Sequence, residues 1–277
     1  MEDEIKYQTF KPNKDLESLV KCYWTLEVPP QRDTQKQLII PDGCIEMFFI
    51  LGDDVKRYTA EDKFIIQPRE MVLGQITEPF FIEPTGYVNS FAARFYPYGF
   101  ANFVSMPIKK LANKETPLKF LFGDKASKEL GQKIKLAVNT TKRIKIVEAF
   151  LLNKLKDKAT IDHIVKTTVD TMLLTKGSTP INSILKNDLS KRRQIERKFF
   201  EKVGISPKKL SKVIRLQAVL KMLLNEKSEN LTKVAYDNEY YDQAHFTKDF
   251  KEFTGITPKE FSQDSKMILS SIVYKND

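Results

Sequence analysis

The chain has 277 residues, of which 41% are hydrophobic and 30% charged, with a formal net charge of +10. That is the composition of an ordinary globular protein of about two domains. No apolar run approaches the ~18–20 residues of a bilayer-spanning helix, and the amino terminus, MEDEIKYQTF, lacks the basic and apolar regions of a secretory signal, so a cytoplasmic protein with no membrane partner is expected.

Residues 1 to about 98 read as strands. KCYWTLEV, QLIIPDG, CIEMFFIL, KFIIQP, EMVLGQI, FFIEP and NSFAARFYPYG are short, β-branched or aromatic, and punctuated by Pro, Gly and Asp. Their spacing suits a small barrel or sandwich. Several are almost continuously apolar, so alternation does not tell which face is inside. Cys22 and Cys44 lie in this half and read as buried small hydrophobes. With His163 and His245 they give no zinc-ligand spacing. Neither a nucleophile motif nor a phosphate-binding glycine loop is present. The sequence therefore points away from an enzyme, a metal and a cofactor.

From about residue 99 the periodicity is helical. GFANFVSM, PLKFLFG and the run from Ala126 to Leu155 repeat apolar residues every three or four positions, with Ile144, Val147, Phe150, Leu151 and Leu155 forming a stripe. This stripe either closes over the β domain or makes a dimer contact. The charged stretch from Lys154 to Lys158 is the expected boundary, giving domains 1–157 and 158–264 and a tail 265–277. A helix is expected over Thr160–Leu174, and Thr179-Pro180 then reads as an N-cap and first helical residue.

The last hundred residues contain a repeat. Phe199-Phe-Glu-Lys-Val-Gly-Ile-Ser-Pro-Lys208 aligns with Phe250-Lys-Glu-Phe-Thr-Gly-Ile-Thr-Pro-Lys259, 51 residues later. Gly204 and Gly255 read as left-handed helix ends. Ser206-Pro207 and Thr257-Pro258 read as the caps of the next helices. Upstream, Ile195 and Phe199 share one helix face, and Phe246 and Phe250 share another. The opposite faces are polar. Each such helix follows another short helix, Pro180 to Asn187 in the first copy and Leu231 to Asn238 in the second. This is helix-turn-helix grammar, in which the second helix enters the major groove of DNA. A helix over Lys208–Leu224, with Val213, Leu216, Val219, Leu220 and Leu223 inside, spaces the two units. Between Lys186 and Lys221 stand twelve cations and three acids, a net +9, nearly all of the chain's excess. Such clustering is the electrostatic footprint of a nucleic-acid surface.

In these residues the sequence resembles the AraC/XylS family of bacterial transcriptional regulators. The likeness spans roughly residues 160–262 and is carried by Arg193-Gln-Ile-Glu-Arg-Lys-Phe199, Gly204-Ile-Ser-Pro207, Arg215-Leu216, Val234-Ala235, Asp242-Gln-Ala-His-Phe-Thr-Lys-Asp-Phe250 and Gly255-Ile-Thr-Pro258. It implies that Arg193, Glu196 and Arg197 in the first unit face bases, and Gln243, Ala244, His245, Thr247 and Lys248 in the second; Lys191, Arg192 and Gln194 beside them are further candidates for DNA contact. Glu196 would read cytosine, brace an arginine or do nothing. Glu239 stands where the family usually has glycine. Lys248 replaces the more usual arginine and loses its bidentate geometry. The first unit is thus expected to dominate affinity. The amino-terminal half is more loosely similar to sensor domains of this family, through Pro41-Asp-Gly43, Glu46 and Arg94-Phe-Tyr-Pro97. Trp24, Glu46, Arg94 and Tyr96 are the candidates for lining an effector pocket, though strand aromatics also serve as core.

The expected fold is α+β: a small cupin-like β-barrel or sandwich with trailing helices, then an all-α domain with two helix-turn-helix units joined by a long helix. The expected partners are double-stranded promoter DNA, a small-molecule effector, a second copy of the chain and RNA polymerase, in the nucleoid. The alternatives are a regulator whose amino-terminal half only dimerises and a cupin-like enzyme fused to a DNA-binding module.

Overall fold

The computed structural model describes residues 5–30, 35–61, 63–155, 161–185, 189–226, 240 and 242–261. Among the described residues ten strands form two antiparallel sheets: β1 (Lys6–Phe10), β2 (Val20–Val28), β3 (Gln37–Ile39), β4 (Ile45–Ile50), β5 (Val55–Ala60), β6 (Lys63–Ile66), β7 (Glu70–Leu73), β8 (Phe80–Pro84), β9 (Val88–Phe95) and β10 (Glu115–Pro117). The larger sheet runs β1-β2-β9-β4-β7-β10 and the smaller β3-β8-β5-β6. Among the described residues the helices are α1 (Leu118–Phe122), α2 (Asp124–Leu136), α3 (Thr140–Lys154), α4 (His163–Leu174), α5 (Ile181–Ile184), α6 (Leu189–Lys202), α7 (Pro207–Glu226), α8 (Gln243–Thr254) and α9 (Pro258–Phe261). The α+β class is as the sequence indicated, and the strand-rich half is a sandwich.

The apolar runs that resisted assignment belong to a sheet covered on both faces, and such strands read as continuous rather than alternating. Tyr23, Met47, Phe49, Phe91, Ala93 and Phe95 point into a core shared with Leu130 and Ile134 of α2 and Val147 and Leu151 of α3. Trp24, Leu26, Val28 and Ala92 point the other way and cluster together. The stripe of Ile144, Val147, Phe150, Leu151 and Leu155 packs on this first core, so it is a packing surface of the β domain.

Several expected boundaries shift. β1, β5 and β10 carry sequences (KYQTF, VKRYTA, ETP) with no apolar run, and they did not read as strands. Of GFANFVSM only Phe100–Asn102 winds, as one 3-10 turn. A second 3-10 turn covers Ile108–Lys110. The Ala126–Leu155 run is two helices, because α2 stops at an extended Ala137 and Asn139 starts α3 by accepting a hydrogen bond from the Lys142 N–H. α4 starts at His163, three residues later than read, because Asp162 caps it. The residue that precedes α5 is Pro180 itself, in an extended conformation and with no side-chain cap, rather than Thr179. Cys44 is buried as expected, whereas Cys22 is only half-buried. The 157/158 boundary, the tail beyond 264, Glu239 and Leu231–Asn238 lie outside the described residues.

The two halves are packed together through shared cores. Leu38 and Ile40, at the β3 edge, join Val213, Leu216, Val219, Phe246, Phe250 and Phe253 of the helical half. Tyr98 joins Val165, Ile195, Phe199 and Leu210. Among the described residues no helix is long and apolar enough to cross a membrane.

Candidate nucleic-acid interface and effector cavity

The first unit is organised around α6. Its Ile195 and Phe199 are fully buried against Val165, Val169 and Met172 of α4 and against Leu210 of α7. Lys191, Arg192, Arg193, Gln194, Glu196 and Arg197 are exposed. Gly204 ends the helix with φ of +99°, the left-handed geometry that its sequence position predicted. Ser206 Oγ then accepts from the Lys209 N–H at 3.2 Å and caps α7.

The second unit repeats this plan. Asp242 caps α8 by accepting from the His245 N–H at 2.7 Å. Phe246, Phe250 and Phe253 are fully buried. Gln243, Ala244, His245 and Lys248 are exposed and Thr247 is half-buried. Gly255 closes the helix at φ +78°. Thr257 and Glu260 then form a reciprocal cap: the Thr257 N–H donates to Glu260 Oε2 and the Glu260 N–H to Thr257 Oγ1. The His245 ring packs edge-on to Tyr240, and its Nε2 lies 3.5 Å from Asp249 Oδ2. His245 therefore has an internal environment as well as an exposed position.

Helix α7 serves both units from different sides. Leu210 and Ile214 enter the first core, and Val213, Leu216, Val219 and Leu220 the second. At 20 residues it spans about 30 Å, from ~1.5 Å per residue, close to one turn of B-DNA. Arg215 is a brace. Its Nη2 donates to the Gly177 carbonyl at 2.9 Å, beside Ser211 Oγ at 2.8 Å, and its guanidinium sits over Tyr240.

The structure divides the basic cluster into two populations. Lys198 pairs with Asp162 at 2.7 Å. Lys209 pairs with Glu252, and Lys212 with Asp249 and Glu252, at 2.8–2.9 Å. These cations, with Arg215, hold helices together. Arg193 and Arg197 have no ion pair among the described residues, and Glu196 lies 3.8 Å from Arg192, with both side chains exposed. Nothing in residue type separates the two populations. Only the acids on α4 and α8, 36 to 43 positions away in sequence, do so.

Two stability predictions follow from these braces. Burial opposes ionisation of Asp162, but the Lys198 ammonium and the N–H groups of Val165 and Ile164 hold its carboxyl below the usual carboxylate range. Its stabilisation is thus full at neutral pH and is lost as pH falls through that depressed value. Asp162→Ala should cost about 1–2 kcal/mol at pH 7, the usual cost of a lost N-cap, and less at pH 3, as read by thermal melting. Lys212→Met leaves Asp249, only 3% exposed, without its ammonium, and should cost about 1–3 kcal/mol by urea denaturation.

In the sandwich, three of the four effector-pocket candidates converge. Glu46 on β4 and Arg94 on β9 are cross-strand partners. Arg94 Nε donates to Glu46 Oε1 at 2.8 Å, and Nη2 to Asp42 Oδ2 at 2.5 Å. Trp24 Nε1 donates to the same Glu46 oxygen at 2.9 Å. It reaches across β9 because the intervening residue, Ala92, has almost no side chain. These groups form one end of a cavity of about 130 Å³ between the sheets, whose other walls are apolar except for Gln67 and Ser90. Burial raises the Glu46 carboxyl, Arg94 pulls it back, and Asp42 raises it again. Tyr96, the fourth candidate, is elsewhere. β9 ends at Phe95, and the Tyr96 ring stacks on Tyr98 and lines a cleft against α7. Asp42, which the sequence presented only as part of a turn, belongs to the charged group.

The same turn touches the helical half. The Pro41 carbonyl accepts from Gln217 Nε2 of α7 at 2.6 Å, and Gln75 Nε2 donates to the Gly43 carbonyl at 2.9 Å. Gly43 has φ +78°, and a Cβ there would lie 3.2 Å from Leu210.

Residues 8–117 match a domain of unknown function (DUF6597), and residues 190–264 match a helix-turn-helix domain family. No curated protein matches the chain. Among solved structures, ToxT from Vibrio cholerae is similar over 94% of this chain and 98% of its own, at 13% identity and a TM-score of 0.47. ToxT bound to (E)-4-(8-methylnaphthalen-1-yl)but-3-enoic acid is similar over 93% and 98%, at 14% identity and a TM-score of 0.47. The cupin domain of Cnp3 from Schizosaccharomyces pombe is similar over 33% of this chain and 61% of its own, at 14% identity and a TM-score of 0.24. Residues 190–264 of this chain thus match a helix-turn-helix domain, in keeping with the two units built on α6 and α8.

Proposed function

We propose that the protein is a sequence-specific regulator that reads promoter DNA with α6 and α8, and that its sandwich senses a small molecule in the cavity between the sheets. The observation that carries the DNA reading is the pair of exposed polar helix faces mounted on one rigid spacer. In α6 the reading residues are Lys191, Arg192, Arg193, Gln194 and Arg197, with Glu196 bracing Arg192. In α8 they are Gln243, Ala244, His245, Thr247 and Lys248. Arginine suits guanine O6 and N7, and Gln suits adenine.

The sensing reading is supported by the position of the Pro41–Gly43 turn. Its Asp42 side chain belongs to the charged end of the cavity, and its Pro41 carbonyl is bonded to α7. A ligand that draws Arg94 from Asp42 shifts a segment on which the spacer helix rests. The protein acts in the nucleoid of the cytoplasm, as a monomer or as a homodimer spanning two half-sites.

Selection of bound sequences from random double-stranded DNA tests the reading. It must be done with the whole chain, because Leu38 and Ile40 complete the core of the second unit. A defined motif is expected, with affinity falling steeply as salt rises. Binding that is indifferent to sequence and to salt would overturn it.

A further inference from the structure

We infer that the groove between α2 and α3 docks an acidic amphipathic helix of another protein. The inference goes beyond the DNA-reading and sensing roles proposed above and depends on neither.

The two helices pack side by side as a hairpin linked by residues 137–139. Leu130, Ile134, Val147 and Leu151 turn toward the first core. Along the pair runs a groove of about 500 Å³. Its floor is apolar, with Ala126 and Leu130 from α2 and Ile146, Ala149 and Phe150 from α3. These positions recur every three or four residues, so each helix contributes one ridge. A groove between two helical ridges accepts a third helix by the packing that builds bundles. The length also suits a helix, since positions 142 to 154 of α3 span about 18 Å at ~1.5 Å per residue. Apolar surface continues past the Lys133 end. Leu136, one turn on, is 80% exposed, and Val138 in the link is 89% exposed. Large exposed apolar side chains beside a polar rim mark an interaction surface.

The rim decides which helix fits. Lys133 stands on the α2 wall, and Lys142, Lys145 and Lys154 stand on the α3 wall. The lining holds one acid, Glu129, and one other polar residue, Asn153. None of the four lysines has an ion pair among the described residues, and Lys133, Lys142 and Lys145 are exposed. Lys154 holds its ammonium 5.5 Å from the centre of the Phe150 ring. A partner helix with acids on both edges of an apolar stripe meets the floor and the rim at once, and such complementarity sets partner and register. Other occupants meet only part of the groove. A second copy docked through it about a two-fold axis would set lysines against lysines. A fatty acid has one carboxylate, which answers one end and leaves the lysine about 18 Å away unmatched. The DNA backbone answers the lysines but leaves the apolar floor uncovered.

The probe is a fluorescein-labelled peptide of about five helical turns, with leucine along one face, glutamate on both edges of that face and alanine elsewhere. One control peptide has glutamine for every glutamate, and another has alanine for every leucine. With the full-length protein, anisotropy should show saturable binding of the probe and at least tenfold weaker binding of each control. Lys142→Glu/Lys145→Glu reverses the charge of one wall. Both positions are exposed and lie near the start of α3, where acids suit the helix dipole. The variant should bind the probe at least tenfold more weakly, and should bind a lysine-edged version of the peptide more tightly than the parent does. Hydrogen exchange in the unmodified protein locates the site without any variant, because the probe should slow exchange in α2 and α3. The inference is overturned by no saturable binding, by a control that binds as tightly as the probe, or by protection that falls outside these helices. Protection of α2 and α3 by decanoate or by self-association, with none from the probe, gives the groove another occupant and overturns it too. So does a tenfold loss of affinity for the selected DNA in the variant when the parent binds no peptide, since the groove then belongs to nucleic acid.

Discussion

Arg94→Met is expected to destabilise the sandwich by about 3–5 kcal/mol, because it removes the one guanidinium that balances two carboxylates and leaves the buried one unpaired. Arg94 is 2% exposed and bonds both Glu46 and Asp42. The methionine fills much of the same volume, so the loss is electrostatic rather than a cavity effect. Urea denaturation followed by Trp24 emission isolates the event, since the indole touches Glu46 itself. The penalty also carries a pH signature. Burial already raises the Glu46 carboxyl in the folded protein. Folded Glu46 therefore holds a proton at pH values where the unfolded chain has released it, and stability falls as pH rises through that window. Removing Arg94 takes away the group that opposes this shift, so the window extends upward. The destabilisation should accordingly be smaller at pH 5 than at pH 8. A variant as stable as the parent at pH 8 would show that the triad contributes nothing to the fold.

Arg193→Ala and Arg197→Ala should each weaken binding to the selected DNA by about 1–3 kcal/mol, roughly 5- to 150-fold in Kd. Both side chains are exposed and have no ion pair among the described residues, so thermal stability should change by no more than about 0.5 kcal/mol. If an arginine contacts a base, the loss is confined to sequences that carry its partner base. If it contacts phosphate, the loss is uniform and the salt slope drops by about one. Lys198→Ala is the internal control. It is as basic as its neighbours but is paired to Asp162, and its removal should lower stability more than DNA affinity. Lys248→Ala in the second unit should cost less than Arg197→Ala, because a lysine lacks the bidentate fork. Full affinity in the Arg193→Ala/Arg197→Ala double variant would remove α6 from the interface.

The sequence by itself determined whatever is encoded within a few residues. Gly204 and Gly255 had to end helices, Ser206 and Thr257 had to start them, and the four-residue spacing of Ile195 with Phe199 and of Phe246 with Phe250 had to define buried faces. Hydrogen bonds between residues three or four apart and a period of 3.6 are local rules, so the double unit and its spacer were legible before any contact was known. The tertiary structure alone decided matters that depend on what a residue meets across the chain. β1 and β5 are strands because β2 and β8 lie beside them, not because KYQTF or VKRYTA is apolar. Tyr96 leaves the cavity because β9 stops one residue before it, while Asp42 enters because Arg94 reaches it from 52 positions away. Within one cluster of cations, braces were separated from exposed side chains by where Asp162, Asp249 and Glu252 were placed. A charge's role is set by the distance and burial of its partner, neither of which is a property of the residue itself.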